Sequence, residues 1–323
     1  MVVCETAIIL ILLAAFVYYH SNSPKMKNQQ ITEGLLSPRV YSGLLEPKSL
    51  LIVNFAPLKE KIEKYITKNN LNVSVYVENF RNGAFMGINE KTGFFPASLN
   101  KLPVAILIMK KIEEEDLTLD TKFAIRDSDR TNSSGELYKT KENELPVSVL
   151  LEKMLKESDN TALKVLLLHL DPKDLQFILD YYGLDINVDY QKQQREKHPD
   201  LITPKAISTL FSSLYFSTVL EPQDSEYLLS LMNDTSFPIK KIADIQDDAI
   251  VIHKFGENYY GINQFFHECG ILYINQSRIF YCIMTKDLSQ EQAIETIGVI
   301  VNGIYHYVKQ TKIKLVSAYK TQQ

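Results

Sequence analysis

The placement of the strand-like segments constrains the fold more than any other feature of the chain. Residues 72–80 alternate, with Val73, Val75 and Val77 on one face and Ser74 and Tyr76 on the other, the period-two pattern of a strand. Arg81-Asn82-Gly83 is a hairpin signal, and residues 84–88 form the returning strand. Strand character then vanishes until residues 249–254, 263–274 and 278–285. A lone hairpin leaves its edges unpaired and is marginal in water. The two groups of strands must therefore meet in one antiparallel sheet.

Everything between them has helical periodicity: residues 99–115, 146–157, 160–169, 172–182, 204–216 and 222–232. Several of these segments open on proline, which loses nothing in the first helical turn because the N–H there has no partner. Amphipathic helices at 58–68 and 290–309 flank the whole. The fold class that follows is α/β, of the α+β type. Strands from both ends of the domain build an antiparallel sheet covered by the terminal helices, and an all-helical lobe packs beside it. A cleft between two such lobes is the expected place for a ligand.

The domain spans residues 55–312, followed by a tail at 313–323. Ahead of it, residues 7–19 are an unbroken 13-residue apolar run, and Glu5 is the sole charge before Tyr19. No small-x-small cleavage site follows. Residues 1–20 are therefore expected to be an uncleaved signal anchor, and 21–54, polar and rich in proline, a tether. The expected location is the extracytoplasmic face of a membrane, or outside the cell if the segment is cleaved. Lys25 and Lys27 follow the apolar run instead of preceding it, which on the positive-inside rule alone points the other way.

Composition removes several function classes. A net charge of −4 with basic residues scattered along the chain leaves no footprint for nucleic acid. Six separate histidines and three cysteines form no metal-ligand spacing, so neither a metal nor another cofactor is expected. The domain is read as a monomer acting on a small molecule.

Three short motifs carry chemistry. Ser98 and Lys101 stand at i and i+3 on one helical face; a buried lysine there can take the proton of the serine hydroxyl. Ser158-Asp159-Asn160 joins two helical segments. It reads equally as a helix N-cap and as a hydroxyl and an amide offered to a substrate. His253-Lys254-Phe255-Gly256 closes an apolar strand, with a cation for a carboxylate and a glycine that permits close backbone approach; a solvated strand end is the plainer reading. A two-residue turn at Asn275-Gln276 would set Cys269 opposite Cys282. A disulfide there fits an extracytoplasmic domain, while two reduced, buried cysteines is the reading preferred, since a one-residue slip would part them.

Taken in order, Ser-x-x-Lys, Ser-Asp-Asn and Lys-x-Gly, with Ser98 and Ser158 60 positions apart, resemble the motifs of class A β-lactamases and penicillin-binding relatives. Ser-Asp-Asn-Thr-Ala before a leucine-rich helix and Leu201-Ile202-Thr203-Pro204 before the next add to the likeness, which covers residues 55–309. The resemblance implies a serine hydrolase that opens a β-lactam or related amide through an acyl-serine. It implies Ser98 as nucleophile, Lys101 as its base and Ser158 as proton relay. Asn160, Lys254 and Gly256 would bind substrate, and the amides of Ser98 and Glu257 would hold the oxyanion. Peptidoglycan stem peptides are the other implied substrate. Two departures stand out. Phe255 replaces the usual Thr or Ser. Residues 184–201 contain no Glu-x-x-Leu-Asn, and Glu196, the glutamate of that stretch, stands at the wrong offset from Thr203-Pro204. Slow deacylation, as in a D,D-peptidase or transpeptidase, is the alternative reading, and a catalytically retired cell-wall-binding module is the other.

Overall fold

The computed structural model describes residues 54–188, 201–233, 235–260, 263–274 and 277–320. The expected anchor, nearly all of the tether, Glu196 and the turn at Asn275-Gln276 lie outside the described residues. Among the described residues, no helix is long and apolar enough to cross a membrane.

Five strands form the main sheet: β1 (Val73–Asn79), β2 (Phe85–Ile88), β5 (Ala249–Tyr260), β6 (Asn263–Ile274) and β7 (Ser277–Lys286), in the order β2-β1-β7-β6-β5. The two ends of the chain do pair: β1 lies antiparallel to β7, with Val75 opposite Ile283 and Val77 opposite Tyr281. Both faces of the sheet are covered. On one face Val73, Val75 and Val77 pack with Ile279, Ile283, Ile297 and Ile304 beneath the terminal helices α1 (Ala56–Lys68) and α8 (Gln290–Lys320). On the other, Tyr76, Ile271, Phe280 and Met284 meet the helical lobe. Each fully buried side chain of this kind contributes about 1.5–3 kcal/mol, so both layers hold the sheet.

The lobe is built around α2 (Lys101–Glu113), whose first nine residues, Lys101 to Met109, are all buried. A helix apolar on every side belongs at a centre. Around it stand α3 (Val147–Lys156), α4 (Asn160–Leu167), α5 (Pro172–Tyr181), α6 (Pro204–Tyr215) and α7 (Pro222–Leu231).

Four details differ from the sequence reading. The lobe also carries a small two-stranded sheet, β3 (Lys122–Ala124) against β4 (Glu144–Pro146); three-residue strands are too short to show a period. The strand holding Lys254 continues to Tyr260, because β6 pairs with it throughout, from Ala249↔Ile274 to Tyr260↔Asn263. Lys254 thus sits mid-strand. The last helix runs on to Lys320, past the expected end at Lys309. Cys269 does face Cys282, but the two are joined in a disulfide, not left reduced.

Candidate active site

Ser98 lies in a 3-10 turn, Ala97–Asn100, that leads into α2. In 3-10 geometry residues i and i+3 eclipse, so the turn sets the Ser98 hydroxyl beside the Lys101 amine. The distance from Lys101 Nζ to Ser98 Oγ is 2.8 Å. The turn is entered through Ala97 at φ +47°, a left-handed conformation that disfavours a residue with a Cβ.

The remaining partners of Lys101 come from the junction between α3 and α4. Lys101 Nζ lies 2.9 Å from Ser158 O, 3.1 Å from Ser158 Oγ and 2.7 Å from Asn160 Oδ1. Ser158 is at φ +57°, and this turn aims both its hydroxyl and its carbonyl at one amine. Asp159 does not join them. Its Oδ1 accepts from Ala162 N at 2.8 Å, the N-cap of α4, and its Oδ2 accepts from Leu137 N at 2.9 Å. The tripeptide therefore divides, the aspartate capping the helix and its two neighbours meeting the lysine.

Lys101 is buried, and burial draws its pKa down to about 7, against the opposing charge of Asp159. A neutral amine has two hydrogens and one lone pair. Ser158 O and Asn160 Oδ1 accept only, so they take the hydrogens and leave the lone pair to the hydroxyls. The group can receive a proton from Ser98.

Lys254 is 0 % exposed. Burial holds its proton affinity well below the usual lysine range, the charge of Lys101 lowers it further, and Glu268 opposes both. Its Nζ donates to Phe255 O at 2.9 Å and lies 4.7 Å from the Phe255 ring centroid. That ring turns to the opposite face of the sheet, 5.1 Å from Phe237 and 6.4 Å from Phe266 between centroids. The position that carries a hydroxyl in the resembling enzymes is thus given to an aromatic cluster. Gly256 presses on the serine turn: a Cβ there would stand 2.9 Å from Ser98 N and 3.1 Å from Ala97 Cβ. Glu257 follows in β5 opposite Phe266, and its carboxylate accepts from Gln290 Nε2 at 3.4 Å.

Ser98, Lys101, Ser158 and Asn160 thus form one hydrogen-bonded group, with Gly256 against its backbone. Sequence reasoning missed the supports. Ser133 Oγ meets Asn160 Nδ2 at 2.7 Å. Gly135, at φ +79°, has room for no Cβ, which would meet Asp159 Oδ2 at 2.0 Å. Ser133-Ser134-Gly135 is a loop signature that could have marked this turn. On the far face of the sheet, Glu268 Oε1 accepts from Tyr281 OH at 2.8 Å. It also lies 2.9 Å from His253 Nδ1, without hydrogen-bond alignment. The signal was present here too, since His267-Glu268 breaks an otherwise apolar strand. Among the described residues, no three His, Cys, Asp or Glu side chains cluster to hold a metal ion.

Residues 57–308 match the model of the Beta-lactamase enzyme family. No curated protein matches the chain. Among solved structures, the TLA-1 extended-spectrum β-lactamase is 20 % identical with a TM-score of 0.70, over 78 % of this chain and 98 % of its own. A β-lactamase from Sphaerobacter thermophilus is 16 % identical with a TM-score of 0.70, over 80 % and 99 %. A leucine-to-glutamate mutant of PBP-A, in an acyl-enzyme complex with penicillin G, is 22 % identical with a TM-score of 0.69, over 82 % and 100 %. At these identities the likeness is one of fold.

Proposed function

The chain belongs to the β-lactamase enzyme family, and from that premise we propose that it is a class A-like serine hydrolase that opens a β-lactam amide through an acyl-Ser98 intermediate. One observation carries the reading: Lys101, with its pKa drawn to about 7, lies within hydrogen-bond reach of Ser98 Oγ, Ser158 Oγ and Asn160 Oδ1. In the acylation step, Ser98 Oγ attacks the amide carbonyl while Lys101 takes its proton. The N–H groups of Ser98 and Glu257 receive the oxyanion. Ser158 hands a proton to the leaving nitrogen and takes in its place the one Lys101 received from Ser98, and the C–N bond breaks. Asn160 orients the substrate, and Lys254 offers an N–H to its carboxylate side, which it can do without being charged.

A second reading keeps this first half-reaction and slows the second, as in a D,D-peptidase or transpeptidase acting on peptidoglycan stem peptides. Two observations favour it: Phe255 in place of a carboxylate-binding hydroxyl, and the absence of Glu-x-x-Leu-Asn from residues 184–201. The buried, hydroxyl-linked Lys101 argues against a retired binding module, since burying a lysine carries a cost in stability that an apolar side chain at the same place would spare. The proposal also puts the domain on the extracytoplasmic face of a membrane, held by residues 1–20, and the Cys269–Cys282 disulfide supports an oxidising compartment.

Fluorescent penicillin separates the readings. With the full-length protein, label that appears on the chain and turns over within seconds supports the lactamase. A stable adduct absent from Ser98→Ala supports the slow deacylator. Absence of both adduct and released, hydrolysed penicillin, at any concentration, would sink both.

A further inference from the structure

The site face of the sheet carries side chains in rows across the strands. One row sets Lys254 beside Cys269 and Cys282; the next sets Gly256 beside His267 and Met284. Gly256 is the residue that abuts the Ser98 amide. His267, its cross-strand neighbour, is 0 % exposed, and the acylation chemistry described above does not use it.

The ring of His267 has a definite partner. Its Nε2 lies 2.8 Å from the backbone carbonyl of Phe95, three residues before Ser98. A carbonyl oxygen only accepts, so Nε2 carries the hydrogen and donates it. That leaves Nδ1 bare, and Nδ1 is buried with no hydrogen-bond partner. Burial opposes a second proton there and outweighs the backbone of Phe95 and Phe266, which favours it. Burial accordingly holds the imidazole pKa down at about 4, and the ring is a neutral, single-tautomer donor at pH 7. Phe94 meets it edge-on at 5.8 Å and Phe265 at 6.2 Å between centroids, which fixes the ring plane.

The segment it grips needs outside support. Ala97 is held at φ +47°, a conformation that costs about 1–2 kcal/mol for a residue with a Cβ. Within the turn itself Leu99 N reaches Pro96 O at 3.2 Å. On one side Phe94 is tied to Ile202 by two backbone hydrogen bonds of 2.8 Å. The sheet side is tied through His267.

We propose that His267 is a positioning residue of the acylation site, its Nε2–H bond to the Phe95 carbonyl holding the turn that presents Ser98 against the Gly256-Glu257 strand. The proposal rests on reading Ser98 as the nucleophile. It does not make His267 catalytic, since the ring touches the turn and not the reacting atoms.

Glutamine reaches about as far as imidazole Nε2 and offers an N–H, whereas leucine fills similar space with none. For the full-length protein, fluorescent penicillin gives the limiting acylation rate and the half-saturating concentration of each variant. His267→Leu should lower the limiting rate about 10–100-fold with half-saturation changed by less than about twofold, while His267→Gln stays within about threefold of the parent, as expected when only the aim of the nucleophile is lost. Amide hydrogen exchange over residues 95–101 provides a readout that needs no substrate: it should quicken in His267→Leu and not in His267→Gln. Parental rates and exchange in His267→Leu overturn the proposal, as does equal loss in both variants, which would mean a packing role. If the parent takes no label, the nucleophile reading fails, and the exchange measurement still decides whether His267 holds the turn.

Discussion

Lys101 shows how burial can make a base of an ordinary side chain. In water its ammonium would hold its proton beyond reach of a serine, but inside the lobe the charged form is penalised until the pKa stands at about 7. On the proposed mechanism the neutral amine is the base, so acylation by penicillin should rise as pH climbs through about 7 and level off above it. Asp159 works against the burial, because its carboxylate raises the proton affinity of Lys101. Asp159→Asn keeps an acceptor for Ala162 N and removes the charge, so the rising limb should move to lower pH. A limb that stays put, measured as acylation rate against pH, would rule out Lys101 as the titrating base. At this scale the sequence showed Ser98, Lys101, Ser158 and Asn160, because i,i+3 spacing and a hydroxyl-amide pair are local patterns. It did not divide Ser158-Asp159-Asn160 into cap and contacts, since capping and catalysis use the same residue types. His267 stood out as a polar break in an apolar strand, but its role did not show, because its partner Phe95 is 172 positions away.

Strand β5 is the element that joins the sheet to the chemistry. It brings Lys254, Gly256 and Glu257 along the serine turn, and the fit is close enough that Gly256 has no room for a methyl group. Gly256→Ala would put a Cβ 2.9 Å from Ser98 N, so either β5 or the turn must move. The proposed oxyanion donors, the amides of Ser98 and Glu257, sit on those two pieces, and losing one such donor costs about 10²–10³-fold in rate. The expected result is an acylation rate lowered by at least about tenfold with folding retained, because a small shift of the turn misaligns donors before it unpacks a core. Circular dichroism and the labelling rate check the two parts separately. The sequence marked the strand by Ile250-Val251-Ile252 but ended it at Lys254, since Gly256, Glu257 and Asn258 have no strand character of their own. Their pairing with β6 imposes it. The same tertiary override explains β3 and β4, which exist as strands only because they pair with each other.

At the scale of the molecule, the register of β6 on β7 could be read from sequence because a two-residue connection fixes every pair beyond it, and Ile274 does stand opposite Ser277. A one-residue slip of β6 on β7 would move Ile271 and Leu272 each to the wrong core. Register fixes which residues meet, and so Cys269 opposite Cys282 was legible; whether the thiols join was not, because redox state depends on the compartment and not on the packing. The disulfide in the structure turns that into a test of location. Its closed segment spans a separation of 13 residues, and chain-entropy reasoning gives such a bridge about 2–3 kcal/mol. The Cys269→Ala/Cys282→Ala double variant should therefore unfold at lower denaturant. Cysteines on the cytoplasmic side are kept reduced, and those outside become bonded. Alkylation of the full-length protein in lysates quenched without reductant should then leave Cys269 and Cys282 unlabelled after denaturation, and label both once a reductant is added. Labelling without reductant would return the domain to a reducing compartment. It would also give Lys25 and Lys27, which follow the apolar segment, the deciding say over its orientation.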